Sequence, residues 1–323
     1  MNGIISTQDQ SAGQVVKVKG QEDYEALIER FLETQDVKDS TRETYRWSIR
    51  KFFDWVRKGR MDLRSLSAAD IVRYKATLLK EKLSPETVGL YLTAVHLFYR
   101  WTEMNLIFPD ISRSVRSPHV RGGVKKMHLT EEEVEQLLDY LKGRSLRDYA
   151  MVNLIIRTGL RTVEVSRADV RDVTLKKGHT ILRIWGKGRD DRSSFVMLNP
   201  PVLEPLQGYL ATREGLSADS PLFVTDGKGH RGNRMSPRLV QHVCKEALRA
   251  IGLDAHEYSA HSLRHTTAVH ILKKGGDWKD VQRVLRHLSP ATSQIYTESI
   301  EEEIRLEKNP ESLLDDAFGE DNV

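Results

Sequence analysis

The chain is nearly without cysteine: of 323 residues only Cys244 carries a thiol. No internal disulfide can form, and a reducing cytoplasm is the expected home. Long hydrophobic runs are missing too. None approaches the roughly 20 residues that span a bilayer, which excludes a membrane-crossing helix and leaves no membrane partner to expect. The opening MNGIISTQDQSAGQ has neither the basic nor the apolar region of a secretory signal. Internal repeats and low-complexity tracts are absent, as is HExxH, the metalloprotease spacing. Cys244 sits on an apolar helical stripe with Leu239, Val240, Val243 and Ala247, so it reads as core rather than as a reactive thiol.

What the chain does have is charge, unevenly spread. Charged residues make up 30%, and the net charge is a modest +4. The last 27 residues, 297–323, hold two Lys/Arg and ten Asp/Glu, so the body before them carries +12 and an acidic tail masks it. A basic body suits a polyanionic partner, because neutralising phosphates releases condensed counterions. The length accommodates two domains of ordinary size, each with its own core.

Four amphipathic helices are predicted in the first third, through residue 107 of a domain running from 21, with 1–20 left as a disordered segment. Tyr24, Leu27, Ile28, Phe31 and Leu32 share a face. Ser40 and Glu43 read as a capping box ahead of Tyr45, Ile49, Phe52, Phe53 and Val56. Ser67 opens a third helix and Ser84–Pro85 a fourth, proline being favoured at the first helical position. The aromatics on these faces read as core. From 108 to 126 the pattern breaks at Pro109, Pro118, Gly122 and Gly123. Residues 113–126 hold five Lys/Arg, among them Arg116, Arg121 and Lys125, and no acid. This reads as an extended linker lying along a nucleic-acid backbone.

A second domain is expected over 127–299. Thr130 and Glu133 form another capping box, a buried helix runs from about Tyr149 to Thr158, and Gly159 allows a turn before Arg161. Strand-like runs Thr180–Trp185 and Ser193–Leu198 flank a glycine-bracketed tip, Gly186–Asp191, giving a β-hairpin. Helices follow. The fold class is therefore mainly α with a small antiparallel sheet.

Five short contexts in this half carry the chemistry: TGLRTVEV, IWGKGRDDRSSFV, HSLRHTTAVH, VLRHLSP and SQIYTES. They supply Arg161, Lys187, His261, Arg264, His287 and Tyr296. Two guanidiniums, an ammonium, two imidazoles and a phenol describe a site built around a phosphate. Arginine forks match phosphate oxygens, lysine adds a mobile charge, imidazole moves protons near neutrality, and a tyrosine hydroxyl can be a covalent nucleophile. Each residue has a plainer reading. Arg161 and Glu164, three apart on a helix, could be a surface ion pair worth a few tenths of a kcal/mol. Lys187 could be a solvated turn lysine, His261 and His265 a half-formed metal site, His287 a helix cap, and Tyr296 a half-buried tyrosine.

As an ordered set the six resemble the tyrosine recombinase (phage integrase) family, in its simple two-domain, Xer-like form, over residues from about 22 to about 310. The resemblance implies a helical, SAM-like core-binding domain followed by an α+β catalytic domain. It implies that Arg161 and Arg264 clamp the scissile phosphate and stabilise the transition state. Tyr296 would attack to leave a 3′-phosphotyrosyl link, and Lys187 would protonate the 5′-hydroxyl leaving group. His261 would assist proton transfer and His287 would bond the phosphate, while Glu164 would orient His261. No ATP, metal or other cofactor is implied. Carried onto the first domain, the resemblance points to Thr41, Arg42, Lys80, Lys82 and Thr87 as DNA contacts.

The implied partner is double-stranded DNA with specific recombination sites, bound by a homotetramer through a Holliday junction. The acidic segment 300–323, with Ile300, Ile304, Leu313, Leu314 and Phe318 among its charges, is expected to dock on a neighbouring subunit in trans. Xer-type dimer resolution and integration or excision of a mobile element both fit. The rival readings are a relaxing enzyme of the type IB topoisomerase kind, a catalytically silent DNA-binding regulator, and a metal-dependent nuclease.

Overall fold

The computed structural model describes residues 21–119, 127–185, 194–227, 229, 231–286, 306 and 309. The chain forms two compact units, 1–123 and 124–323. The expected disordered segment 1–20, the linker residues Arg121 and Lys125, and nearly all of the acidic tail lie outside the described residues.

The first unit is helical: α1 (Gln21–Glu33), α2 (Asp39–Lys58), α3 (Ala68–Lys80) and α4 (Pro85–Met104). The aromatic stripes meet in its core, where Phe31, Phe52, Phe98, Tyr74 and Tyr99 are all essentially inaccessible. Phe31 and Phe53 meet the Phe98 ring edge-on at 5.7 and 5.3 Å, and Phe52 meets Tyr74 at 5.1 Å. Such pairs add roughly 0.5–1.5 kcal/mol each beyond burial. Ser67 caps α3 together with Asp70, whose carboxylate accepts from the Ser67 amide at 2.8 Å. Ser84 caps α4, accepting from the Thr87 amide at 3.3 Å.

Two details depart from the sequence reading. The Ser40–Glu43 capping box does not form: α2 starts at Asp39 with the extended residue Lys38 before it. Ser40 lies inside the first turn, and Glu43 pairs with Arg46 instead. The supposed linker is also anchored over its first half. Phe108 and Val115 are buried in the core of this unit, with Ile107 and Ile111 packed against it, so residues 108–115 belong to the unit rather than to a spacer.

The second unit begins by pinning the segment that leads into its first helix. The Leu129 amide donates to Thr266 Oγ1 at 2.9 Å, and its carbonyl meets His270 Nε2 at 2.9 Å. Then follow α5 (Glu131–Lys142), with the expected Thr130–Glu133 box, α6 (Leu146–Thr158) and the short α7 (Thr162–Arg167). The sheet is antiparallel in the order β1 (Val173–Lys176), β2 (His179–Ile184), β3 (Ser194–Met197). β1 is an addition to the expected hairpin. It joins β2 through Lys177–Gly178, both at positive φ (50° and 80°), the geometry whose twist matches a two-residue hairpin. Leu182, Ile184 and Val196 face the core. The expected hairpin pairs Ile184 with Ser194, and its tip, with Lys187, lies outside the described residues.

The remaining helices are α8 (Pro200–Ala211), α9 (Pro237–Ala250), α10 (Ala260–Lys273) and α11 (Trp278–Leu285). α10 is buried on nearly every side, from Ala260 through Val269 apart from His261, because it packs against α6, α9 and α11 at once. Cys244 on α9 is fully buried, and burial pushes its thiol up to about 12. It is core, and no nucleophile.

Candidate active site

The site grows from the turn after α6. Gly159 ends that helix in the left-handed conformation (φ 61°, ψ 31°), which glycine adopts without the cost of a Cβ. The turn delivers Arg161 to the position just before α7. Glu164, one turn into α7, folds back: its Oε2 accepts from the Arg161 amide at 2.8 Å and its Oε1 from Arg161 Nη1 at 3.0 Å. The Glu164 side chain is only 2% exposed. That disposes of the surface-pair reading of Arg161 and Glu164, because removing one partner of a buried pair leaves an uncompensated charge at roughly 3–5 kcal/mol.

Arg264 comes from α10 and is 3% exposed. Its Nη1 donates to the Gly159 carbonyl and its Nη2 to the Leu285 carbonyl at 2.5 Å. One guanidinium thus ties the α6 turn to the end of α11. A third guanidinium, unremarked in the sequence reading, joins them. Arg286, directly after α11, donates through Nη2 to Glu164 Oε2 at 2.8 Å and to the Gly159 carbonyl at 3.5 Å, and through Nη1 to the Val284 carbonyl at 2.6 Å.

Electrostatics follow from this crowding. Burial by itself would raise the Glu164 carboxyl. The charge of Arg286, the Arg161 amide and the charges of Arg161 and Arg264 outweigh it and hold the group below the ordinary range, so Glu164 is an anion at neutral pH. Three cations around one carboxylate leave the pocket positive, which is the polarity a phosphodiester needs.

His261 stands in the first turn of α10, one turn ahead of Arg264, and is exposed. His265, its supposed partner in a metal site, is buried instead, edge-on to His128 with ring centroids 5.9 Å apart. Among the described residues no three His, Cys, Asp or Glu side chains are grouped to hold a metal ion. The bonds recorded for Glu164 run to Arg161 and Arg286, so the structure shows it arranging guanidiniums. Lys187, His287 and Tyr296 lie outside the described residues, although His287 follows Arg286 directly in the chain.

The residues singled out for DNA in the first unit are less uniform. Arg42 spends its guanidinium internally, on Asp39 Oδ1 at 2.8 Å and the carbonyls of Gln35 and Val37 at 3.2 and 3.4 Å. It braces the α1–α2 turn. Thr41 and Thr87 are half-buried in the first turns of α2 and α4, whereas Lys80, Lys82 and Arg116 are exposed.

Comparison with known proteins places these observations. Residues 127–303 match the family described as "Phage integrase family", and residues 24–107 match "Phage integrase, N-terminal SAM-like domain". Tyrosine recombinase XerA of Pyrococcus furiosus is 28% identical over 90% of this chain and 94% of its own length. Tyrosine recombinase XerD of Xanthomonas axonopodis pv. citri is 30% identical over 84% of this chain and 91% of its own. Among solved structures, XerH site-specific recombinase in a post-cleavage complex with palindromic difH substrate superposes with a TM-score of 0.71. That match is at 21% identity and covers 90% of this chain and 84% of that one. A lambda integrase dimer bound to a COC′ core site gives 0.65 at 16% identity, covering 83% and 96%. At those identities the structural likeness is one of fold.

Proposed function

The chain belongs to the phage integrase family and is a site-specific tyrosine recombinase, an enzyme that breaks and rejoins DNA, and we propose how its own residues divide that work. The observation that carries the proposal is the joining of Arg161 and Arg264, distant in sequence, around one turn and one carboxylate. Two fixed guanidiniums there can hold the non-bridging oxygens of a phosphodiester and match the charge that builds in its transition state. Tyr296 attacks the phosphorus, forming the 3′-phosphotyrosyl bond as the bond to the 5′-oxygen breaks. Lys187 gives its proton to that 5′-oxygen, and His261 and His287 serve the tyrosine proton and the phosphate. The link stores the energy of the phosphodiester, so a 5′-hydroxyl from a partner duplex rejoins the strand without ATP. Two such rounds pass through a Holliday junction.

The direct test is a nicked suicide duplex carrying candidate sites, resolved by denaturing electrophoresis. A covalent protein–DNA band supports the reading, and its absence on every relative's site sinks it. A type IB-like relaxing enzyme would instead relax supercoiled plasmid lacking any site. Lys187 has its own expected result. Lys187→Ala should cleave an ordinary duplex about 10²–10⁴-fold more slowly, yet recover on a 5′-phosphorothiolate, whose sulfur leaves without a proton. Equal defects on both substrates would remove Lys187 from the general-acid role.

Relatives named XerA and XerD align along most of this chain, which supports an Xer-type resolution role ahead of integration or excision. Within the first unit, exposed Lys80, Lys82 and Arg116 suit phosphate contact, with Arg121 and Lys125 continuing the basic run. We place the working form as a tetramer on DNA, the acidic segment 300–323 of each subunit docking on the next. A cleft of about 530 Å³ beside α5 and α10 offers an apolar floor (Val134, Leu138, Val202) to the apolar side of such a segment, its cations Arg157 and Lys274 being balanced by Glu131 and Glu135, with Lys274 paired to Glu131 at 2.7 Å. Truncation after Ser299 is expected to weaken synapsis and recombination while leaving or raising affinity for a single site, measured by gel shift and recombination assay. Full-length rates in the truncated protein would refute the docking.

A further inference from the structure

We propose that Arg286 is a positioning residue for the cleavage site: it holds the Glu164 carboxylate and the Gly159 turn together so that Arg161 is presented to the phosphate rather than consumed by its own ion pair. The inference rests on the reading above that Arg161 grips the scissile phosphate.

Three observations carry it. Arg286 occupies the left-handed region (φ 55°, ψ 46°) as the cap of α11. A residue with a Cβ pays roughly 1–2 kcal/mol there, where glycine would pay nothing. The chain therefore places a costly residue at a position that ordinary helix capping would give to glycine. Next, the side chain is turned inward. It is 10% exposed, and its Nη atoms bond only protein acceptors: Glu164, the Val284 carbonyl and the Gly159 carbonyl. Its Nε is buried without a hydrogen-bond partner. Arg286 is thus engaged within the protein, as Arg264 is at 3% exposed, whereas the Arg161 side chain is 29% exposed. Last, two of the three guanidiniums around Glu164 bond its two oxygens directly. Arg161 meets Oε1 through Nη1 alone, and Arg286 meets Oε2. Without Arg286, the buried carboxylate would have Arg161 as its nearest cation and would draw that fork fully onto itself. With Arg286 present, Glu164 is satisfied while Arg161 keeps donors for a phosphate.

Arg286 also directly precedes His287 in the chain. The Gly159 carbonyl accepts from both Arg264 and Arg286, which ties two of the three guanidiniums to one backbone point.

The test uses Arg286→Gly, Arg286→Lys and the double variant Arg286→Gly/Glu164→Gln in the full chain. Glycine relaxes the backbone, which offsets part of the cost of leaving buried Glu164 with Arg161 alone, so Arg286→Gly should be modestly less stable than the parent yet fold and bind duplex DNA as the parent does. Its single-turnover cleavage of the suicide duplex at saturating DNA should fall at least tenfold. The defect should shrink as pH falls, because Glu164, without the cation that holds it ionised, protonates at a higher pH than in the parent and then no longer competes for Arg161. Removing the carboxylate's charge as well should restore much of the rate, since nothing then competes for Arg161, and Arg286→Lys should lie between. Cleavage by Arg286→Gly within twofold of the parent would overturn the proposal. So would a defect that saturating DNA abolishes, or one that Glu164→Gln does not relieve. If Arg286→Gly fails to fold, Arg286→Lys with its pH profile decides, and a profile superposing on the parent's counts against the proposal. The parent arm reports separately on the reaction: no adduct from the parent would defeat the phosphotyrosyl reading. The Arg286–Glu164 clasp would then stand or fall on the Glu164 carboxyl titration by NMR, an unshifted titration in Arg286→Gly refuting it.

Discussion

Tyr296→Phe is expected to abolish the covalent protein–DNA adduct, by roughly 10⁴-fold or more in single-turnover cleavage, while duplex affinity stays near that of the parent. The substitution removes one oxygen, the atom that would bond to phosphorus, and nothing else. Affinity comes mainly from lysine and arginine contacts with phosphates, which the change leaves in place. Gel shift and denaturing electrophoresis on the same suicide duplex read the two effects side by side. An adduct persisting in the variant would move the nucleophile elsewhere. Tyr258 is the other tyrosine close to the α10 site in sequence, two residues before the helix begins. Burial and the charges of Glu133 and Glu257 raise its hydroxyl above the ordinary value, which makes it a poorer source of phenolate.

Much of this protein is legible before any coordinates. Periodic apolar faces gave the helices of both units because burial of a stripe is what holds an amphipathic helix, and Ser67, Ser84 and Thr130 cap where expected. The failures are instructive because each involves a competitor outside the local pattern. Ser40 loses the capping role because the helix already begins at Asp39, after extended Lys38, in a turn that Arg42 braces by donating to the Gln35 and Val37 carbonyls. β1 has only four residues, too short for a clear alternation, and its signal is the Lys177–Gly178 turn beside it. Phe108 and Val115 look like linker because prolines and basic residues surround them, yet each buries its side chain in the core of the first unit.

The catalytic constellation divides along the same line. Arg161 and Arg264 stand in short motifs that can be recognised by spacing. Glu164 and Arg286 depend on partners far away in the chain: a carboxylate becomes a hub only when folding brings α10 and the end of α11 to it. No window of sequence shows that Arg286 is buried or that its backbone is left-handed. The one available sign was the arginine beside His287 in VLRHLSP, and its meaning lies entirely in the tertiary structure.

Gly159→Ala is the second large effect expected, and it separates conformational strain from packing. Gly159 sits at φ 61°, so any Cβ costs roughly 1–2 kcal/mol there. The Cβ would also run into Leu285 Cδ2, a side chain with no exposed surface, and reach Thr267. Relieving that overlap means moving packed groups, at about 1–3 kcal/mol. Together the two predict a loss of roughly 2–5 kcal/mol in denaturant unfolding of the catalytic unit. Gly178→Ala is the matched control, since Gly178 has φ 80° with nothing within 4 Å of the added carbon. It should show the strain alone and leave cleavage unchanged. Gly159 carries the further burden that its carbonyl accepts from Arg264 and Arg286. Pushing Leu285 away displaces that carbonyl, together with the Leu285 carbonyl that also holds Arg264. A misplacement of about 1 Å in such a clamp costs on the order of 10²-fold in rate. Gly159→Ala should therefore lose both stability and single-turnover cleavage, the second even at temperatures where the variant is fully folded. If it cleaves like the parent and is destabilised no more than Gly178→Ala, then the close approach of the α6 turn to α11 is not what holds the two guanidiniums in place.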